Sequence, residues 1–317
     1  MNARTVAPAL AFVLAAACGG GDDDDNDAAE STETTVAPTT TTTTPPLALR
    51  LCEAPDPVQA GTLQNPELIE LSGLAEGGDG TLWAHNDSGD RARVFAIGPD
   101  GADLRTLEVA GAEAFDWEDM TATGDALYVG DIGDNLKARP NVVVYRVAEP
   151  LDADPSVQIF DLTYPDGPHD AEALMVDEAG GQLVIVTKEL AGNSGVYALP
   201  LDTSGPLELL TTLDLGVGQL VTAGDISTGG DTIVLRTYGK IFVWDRDAAG
   251  GGSLADALAR EPCEAPAPVE TQGEAIALLD DGYVTISEGV NAPVWRVTAS
   301  GPASTSTADT PGTSSGG

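Results

Sequence analysis

The chain has 317 residues, with 51 Asp and Glu against 14 Lys and Arg, a formal net charge of −37 and a hydrophobic share of 42%. An excess of negative charge this large repels polyanions at long range, which excludes nucleic acid and an anionic membrane surface as partners reached by charge and leaves cations as compatible ligands. Away from its two ends the chain carries enough Val, Leu, Ile and Ala over roughly 250 residues to bury one core, so a single domain suffices.

The N-terminus opens with one cation, Arg4, and an apolar run from Val6 to Ala17. That run is too short to span a bilayer and has the length of a secretory signal core. It ends Leu14-Ala15-Ala16-Ala17-Cys18-Gly19, which resembles a bacterial lipobox with its leucine four residues before the cysteine rather than three. The expectation is a lipoprotein-type signal over 1–18 and lipid modification of Cys18. The protein would then be exported and held at the outer face of the bacterial cell membrane or at the cell surface, touching membrane only through the lipid. Residues 19–47 follow with Asp22 to Asp25 and a Thr/Pro-rich stretch from Thr32 to Pro46. Such residues bury almost no apolar area against chain entropy, so a disordered stalk is expected there. A second disordered tail is expected over 300–317, leaving 48–299 as the folded domain.

Within that domain a short motif recurs at about fifty residues. It reads Ser72-Gly73-Leu74, Glu118-Asp119-Met120, Glu172-Ala173-Leu174, Gly224-Asp225-Ile226 and Glu274-Ala275-Ile276, with steps of 46, 54, 52 and 50. A fixed period of this length indicates blades or solenoid turns. Each copy continues in apolar and β-branched runs bounded by Gly and Asp, the pattern of short strands. The second runs are 81–85, 126–129, 182–187, 232–237 and 283–287. An aromatic recurs in the third: Phe95, Tyr145, Tyr197, Phe242 and Trp295. One aromatic per repeat is what stacked, similar sheets need to fill the space between them. The prediction is an all-β, five-bladed β-propeller, with six blades as the alternative, whose ring is closed by the segment between Cys52 and Glu70 acting as the outer strand of the last blade. One short helix is expected, from Ser253 to Arg260, decorating a connection between blades. Cys52 and Cys263 each open a Cys-Glu-Ala-Pro tetrapeptide, and an exported domain with two cysteines commonly pairs them. A Cys52–Cys263 disulfide between outer strands of neighbouring blades is expected.

In a propeller the first strand of each blade lines the channel, so Ser72, Glu118, Glu172, Gly224 and Glu274 are expected to form a ring. Three carboxylates facing one small space need a counter-charge. Oxygen donors without His or Cys suit Ca²⁺ in a wide ring, with Mg²⁺ as the alternative. Residues just after the second strand of each blade should lie beside the ring. The candidate ligand-binding groups there are Asn86, Asp87, Asp131, Lys188, Glu189, Arg236, Tyr238 and Glu288. Asp116, His169 and Asp170 also fall near it.

The repeat series, with Gln272-Gly273-Glu274 and Ser287-Glu288, resembles the Ser-Gly-Leu and Glu-Gly-Ile series of the SdiA-regulated propeller family. It departs from that series at Gly224, where the family has Ser, and at Asp119, Ala173 and Ala275, where it has Gly. The ring order is also similar to that of the calcium-activated nucleotidases (apyrases), and this likeness implies a central Ca²⁺ that positions a nucleoside di- or triphosphate. Two functions are compatible with these residues. One is a lipid-anchored binding module, expected to be a monomer, that takes a small-molecule or protein ligand at the channel mouth. The other is a Ca²⁺-dependent phosphohydrolase of the nucleotidase or phytase type. There Lys188 and Arg236 would hold phosphate and Asp87 or Asp131 would activate water. No nucleophile elbow, zinc motif or phosphate-cradling glycine loop is present to name a catalyst.

Overall fold

Runs such as Leu183-Val184-Ile185-Val186 are apolar at every position because their strands are buried on both faces, the odd residues toward one neighbouring sheet and the even ones toward the other. In the computed structural model the described residues are 44–77, 80–148, 155–249 and 251–299. The signal segment with Cys18, the stalk up to residue 43 and the tail from 300 lie outside the described residues. The first strand, β1 (Val58–Thr62), stands apart from the repeats. Blade 1 comprises β2 (Leu71–Glu76), β3 (Leu82–Asn86), β4 (Arg93–Ile97) and β5 (Asp103–Glu108), paired in that order. Blade 2 comprises β6 (Trp117–Thr123), β7 (Ala126–Asp131), β8 (Val142–Ala148) and β9 (Val157–Thr163). Blade 3 has β10 (Ala171–Asp177), β11 (Gln182–Thr187) and β12 (Gly195–Pro200). The two-residue β13 (Gly205–Pro206) adds to the edge of blade 2, and β14 (Glu208–Thr212) completes blade 3. Blade 4 has β15 (Val221–Ile226), β16 (Thr232–Thr237), β17 (Ile241–Asp245) and β18 (Cys263–Ala265). Blade 5 has β19 (Gly273–Leu279), β20 (Gly282–Ser287) and β21 (Pro293–Thr298), and its outer strand is β1. The inner strands β2, β6, β10, β15 and β19 neighbour one another in a closed circle. This is a five-bladed propeller whose ring is closed by the N-terminal strand, as the repeat phase predicts.

Five apolar clusters fill the five gaps between adjacent blades. Phe95, Tyr145, Tyr197 and Phe242 each face the gap to the preceding blade, while Trp295 is half-buried. The helix predicted near 253–260 is α2 (Leu254–Leu258), opened by a capping box between Ser253 and Asp256. It sits inside blade 4, between β17 and β18, rather than between blades. Cys52 and Cys263 are joined, with Cα atoms 5.8 Å apart. Cys263 lies on the outer strand of blade 4, but Cys52 ends a helix, α1 (Leu47–Cys52), rather than occupying a strand. Leu47, Ala48 and Leu51 of α1 are buried between blades 4 and 5, so the helix takes in Leu47, the last residue assigned to the stalk.

Two inner-strand carboxylates, the fully buried Asp119 and the half-buried Asp225, bind across the blades, although the repeat motif gave no reason to single them out. Asp119 Oδ2 accepts from Leu174 N at 2.9 Å and Gly224 N at 3.1 Å, while its Oδ1 accepts from Met120 N at 2.9 Å. Asp225 accepts from Leu278 N at 2.8 Å, Ile226 N at 2.9 Å and the Thr121 hydroxyl at 3.3 Å. Together they tie the inner strands of blades 2, 3, 4 and 5. Burial pushes Asp225 up to about 7 even though three donors favour its charged form. An unfolded Asp gives up its proton near pH 4, so across roughly pH 4–7 the native state binds the extra proton. Stability from this group is therefore complete below about pH 4 and is lost as pH rises toward 7. Asp225→Asn, which cannot titrate, is expected to flatten the decline in urea-unfolding free energy across that window by roughly 3–4 kcal/mol. A variant with the slope of the unmodified protein would show that Asp225 is ionised throughout.

Candidate metal centre

Every inner strand carries a β-bulge near its start, between Leu71 and Leu74, Trp117 and Asp119, Ala171 and Ala173, Val221 and Ala223, and Gly273 and Ala275. A bulge sets two residues against one and re-aims a side chain, here at the same point of each repeat. In that register Ser72, Glu118, Glu172 and Glu274 are equivalent, as expected, but the member from blade 4 is Thr222. Gly224 falls two residues further on, in a tight contact between blades. A Cβ there would stand 2.6 Å from Leu235 Cδ2 and 3.1 Å from Met175 Sδ. The two hydroxyl members are engaged: Ser72 Oγ donates to Glu118 O at 2.5 Å and Thr222 Oγ1 to Gly273 O at 2.9 Å.

A second set comes from the residue after the second strand of blades 1, 3, 4 and 5. The amides of Asp87, Lys188 and Glu288 donate to the carbonyls of Glu70, Asp170 and Gln272 at 2.8, 2.9 and 3.1 Å, turning their side chains over the channel. Asp87, Lys188, Tyr238 and Glu288 accordingly line a cavity of about 210 Å³ with Ser72, Glu118, Glu172 and Glu274. The remaining candidates do not line it. Asn86 holds the 67–70 turn, accepting from Ile69 N and Glu70 N and donating to Glu67 O. Asp131 accepts from Phe115 N and Asp116 N and pairs with Arg139 at 2.7 Å. Glu189 pairs with Lys137 at 2.8 Å, and Arg236 is buried in contact with Glu270. His85 is fully buried with its Nδ1 against Asn86 O and its ring edge-on to Trp117. His169 contacts Asp166 and Tyr197.

Two groups of carboxylates converge at the blade 2 side of the mouth: Asp87, Asp116 and Glu118, and Glu118, Asp170 and Glu172. Within each group the oxygen atoms lie within 4.8 Å of one another. Such a donor set, all oxygen and formed from buried and half-buried side chains, can hold a metal ion. Glu118 belongs to both groups. The chain passes unusually close to it at Gly133, where any Cβ would collide with Glu118 Oε1 and Asp116 Oδ2. Burial, with repulsion from Glu172, Asp87 and Asp116, drives Glu118 well above the usual carboxylate range. Burial and Asp87 push Asp116 up to about 6. Glu274 rises to about 7, chiefly through burial.

Lys188 is the one cationic side chain lining the cavity among the described residues, in direct contact with Glu172 and 2.9 Å from the Tyr238 hydroxyl. Desolvation works against its ammonium, but Glu172 and Tyr238 outweigh it and keep it protonated. Even with that partner attached, burial raises Glu172 to about 8. One ammonium therefore does not neutralise the mouth. Asp170, Asp116 and Gly133 complete this site; the sequence places Asp116 and Asp170 near the ring but gives no reason to single out Gly133.

No family model and no curated protein matches this chain. Among solved structures it is similar to a gluconolactonase from Xanthomonas campestris at 13% identity and a TM-score of 0.45, over 78% of this chain and 96% of that one. A nidogen/laminin complex chain aligns at 11% identity and a TM-score of 0.42, over 69% and 73%. The PQQ-bound aldose sugar dehydrogenase of Streptomyces coelicolor aligns at 11% and 0.43, over 76% and 96%. Likeness at this level carries no chemistry across, and the propeller is established by the chain's own strand pairing.

Proposed function

We propose that this chain is an exported, lipid-anchored propeller that holds a divalent cation, Ca²⁺ in preference to Mg²⁺, among the carboxylates of its channel mouth and binds a ligand or protein partner there. The observation that carries this reading is the pair of carboxylate groups sharing Glu118, crowded beside a single ammonium. A hard cation relieves the repulsion, and donors spread over the strands and loops of three blades suit the irregular coordination of Ca²⁺ better than the strict octahedron of Mg²⁺. The test is calorimetric titration of the EGTA-stripped protein with Ca²⁺ and with Mg²⁺, alongside melting curves. Absence of heat and of any shift in melting temperature with either ion sinks the cation site.

The phosphohydrolase reading needs Lys188 and Arg236 together on the substrate. Arg236 is instead buried against Glu270, and Lys188 is engaged by Glu172, so binding is favoured over phosphoryl chemistry. Release of phosphate by the Ca²⁺-loaded protein from nucleoside polyphosphates, phytate or nitrophenyl phosphate would reverse that preference.

Export is supported by the Cys52–Cys263 pair, since disulfides persist in oxidising compartments. Anchoring rests on Cys18 in its lipobox-like setting. Cys18→Ser is expected to move the protein from the membrane fraction to the soluble exported fraction and to abolish incorporation of an alkyne-tagged fatty acid. Retention of both label and membrane association by the variant would rule out Cys18 as the anchor.

A further inference from the structure

Exposed large apolar side chains are distributed unequally over the propeller. Phe115, Leu136, Leu190 and Val217 are 67%, 87%, 68% and 84% exposed, and all four lie on loops at the mouth, either entering an inner strand or leaving a second strand. Ile69, Val269 and Val290 stand on mouth loops of blades 1 and 5. The other exposed large apolar residues are on outer strands or on α1, and among the described residues none is on the loops of the opposite face.

The four residues of blades 2 to 4 are linked by contacts into one crescent. The Arg139 guanidinium covers the Phe115 ring at 4.8 Å and shares a loop with Leu136. Lys137, next to Leu136, bonds both oxygens of Glu189 at 2.8 and 2.9 Å, and Glu189 precedes Leu190. Leu190 O accepts from Gly218 N at 2.9 Å, beside Val217. Inside the crescent lies the acidic cavity: Asp116 follows Phe115, Asn135 precedes Leu136, and Lys188 stands two residues before Leu190. Apolar residues held exposed around a polar centre mark a protein interaction surface.

We infer that the mouth face docks a polypeptide segment that inserts a lysine or arginine into the acidic cavity while flanking large apolar side chains pack on Phe115, Leu136, Leu190 and Val217. Charge decides the occupant. Six carboxylates line the cavity against one ammonium, so a basic side chain finds acceptors there while an acidic one meets only like groups. Loops of three blades give the crescent a breadth suited to a chain segment rather than a small molecule. This inference rests on the binding-module reading of the same mouth, though not on which cation it holds.

The test is selection of a phage-displayed library of random twelve-residue peptides on the full-length protein in detergent, in parallel with Ca²⁺ and with EGTA. The control protein carries Leu136→Asp and Leu190→Asp, with Leu136→Ser and Leu190→Ser as a milder second version, each checked for an unchanged melting temperature. Enriched peptides are expected to carry Lys or Arg within three residues of Leu, Ile, Phe or Trp, and to bind the doubly substituted proteins at least tenfold more weakly. The inference is overturned by enrichment no greater than on the control, by enriched peptides lacking a basic residue, or by equal binding to both proteins. Selection of the expected peptides in EGTA by a protein that takes up no Ca²⁺ would leave the docking surface standing and remove the cation site alone.

Discussion

Glu118→Gln is expected to remove most of the Ca²⁺-dependent rise in melting temperature while leaving the cation-free protein as stable as before, or more stable. Glu118 is the carboxylate common to both oxygen groups, and it is buried. Glutamine keeps its shape and one acceptor oxygen but carries no charge, so each three-carboxylate group loses the member the two share. A Ca²⁺ affinity lower by on the order of a hundredfold, about 2.7 kcal/mol, is expected. In the absence of cation the balance reverses, because desolvation and the neighbouring Glu172, Asp87 and Asp116 all disfavour a charge at this position. A merely structural glutamate would behave differently: its amide would cost stability with and without Ca²⁺. Glu274→Gln provides the internal comparison. Glu274 lies in the ring but outside both groups, where it accepts from Gln272 at 3.0 Å, and its loss is expected to lower Ca²⁺ affinity much less. Equal effects of the two substitutions would place the ion on the propeller axis instead of at the blade 2 side.

The difference between those two glutamates shows what could and could not be read before the fold was known. The period of about fifty, the strand runs and the recurrent aromatic specify blades because each is a local pattern repeated, and the repeat phase alone puts Glu118, Glu172 and Glu274 at one level. Thr222 does not stand out in the sequence because the blade 4 motif aligns on its Gly-Asp pair, whereas the shared feature is the bulge, a backbone irregularity that residue types mark weakly. Counted to the first residue of the bulge, the steps around Thr222 are 50 and 52, as regular as those of the dipeptide motif. Asp116, Asp170 and Gly133 belong to loops, and their approach to Glu118 depends on how the loops fold back over the inner strand. Gly133 carries a readable trace in the Gly-Asp-Ile-Gly sequence at the end of β7, but its meaning, space for two carboxylates, is visible only in three dimensions. Asp119 and Asp225 look like turn residues by composition. They are instead inter-blade ties, because a buried carboxylate beside unpaired inner-strand amides is the acceptor those amides need.

Replacing both Cys52 and Cys263 by Ser is expected to lower the unfolding free energy by about 5 kcal/mol, from the entropy returned to an unfolded chain whose cross-link spanned 211 residues. The ring has two closures near its N-terminus. Strand β1 pairs along β21 from Val58↔Arg296 to Thr62↔Pro293, and α1 sits between blades 4 and 5. A six-residue helix does not persist by its own hydrogen bonds, and it buries only Leu47, Ala48 and Leu51. The disulfide is therefore what holds α1 to β18, whereas β1 is held by its own ladder. This ordering predicts where the loss is felt. In native-state hydrogen exchange the amides of α1 and of 263–265 in the doubly substituted protein should open well before global unfolding, with β1 and β21 still protected to the global limit. If β1 opened together with α1, the two closures would be a single cooperative unit. A double variant within 1 kcal/mol of the parent in urea would mean that the β1 ladder alone secures the ring and that the cross-link adds nothing to it.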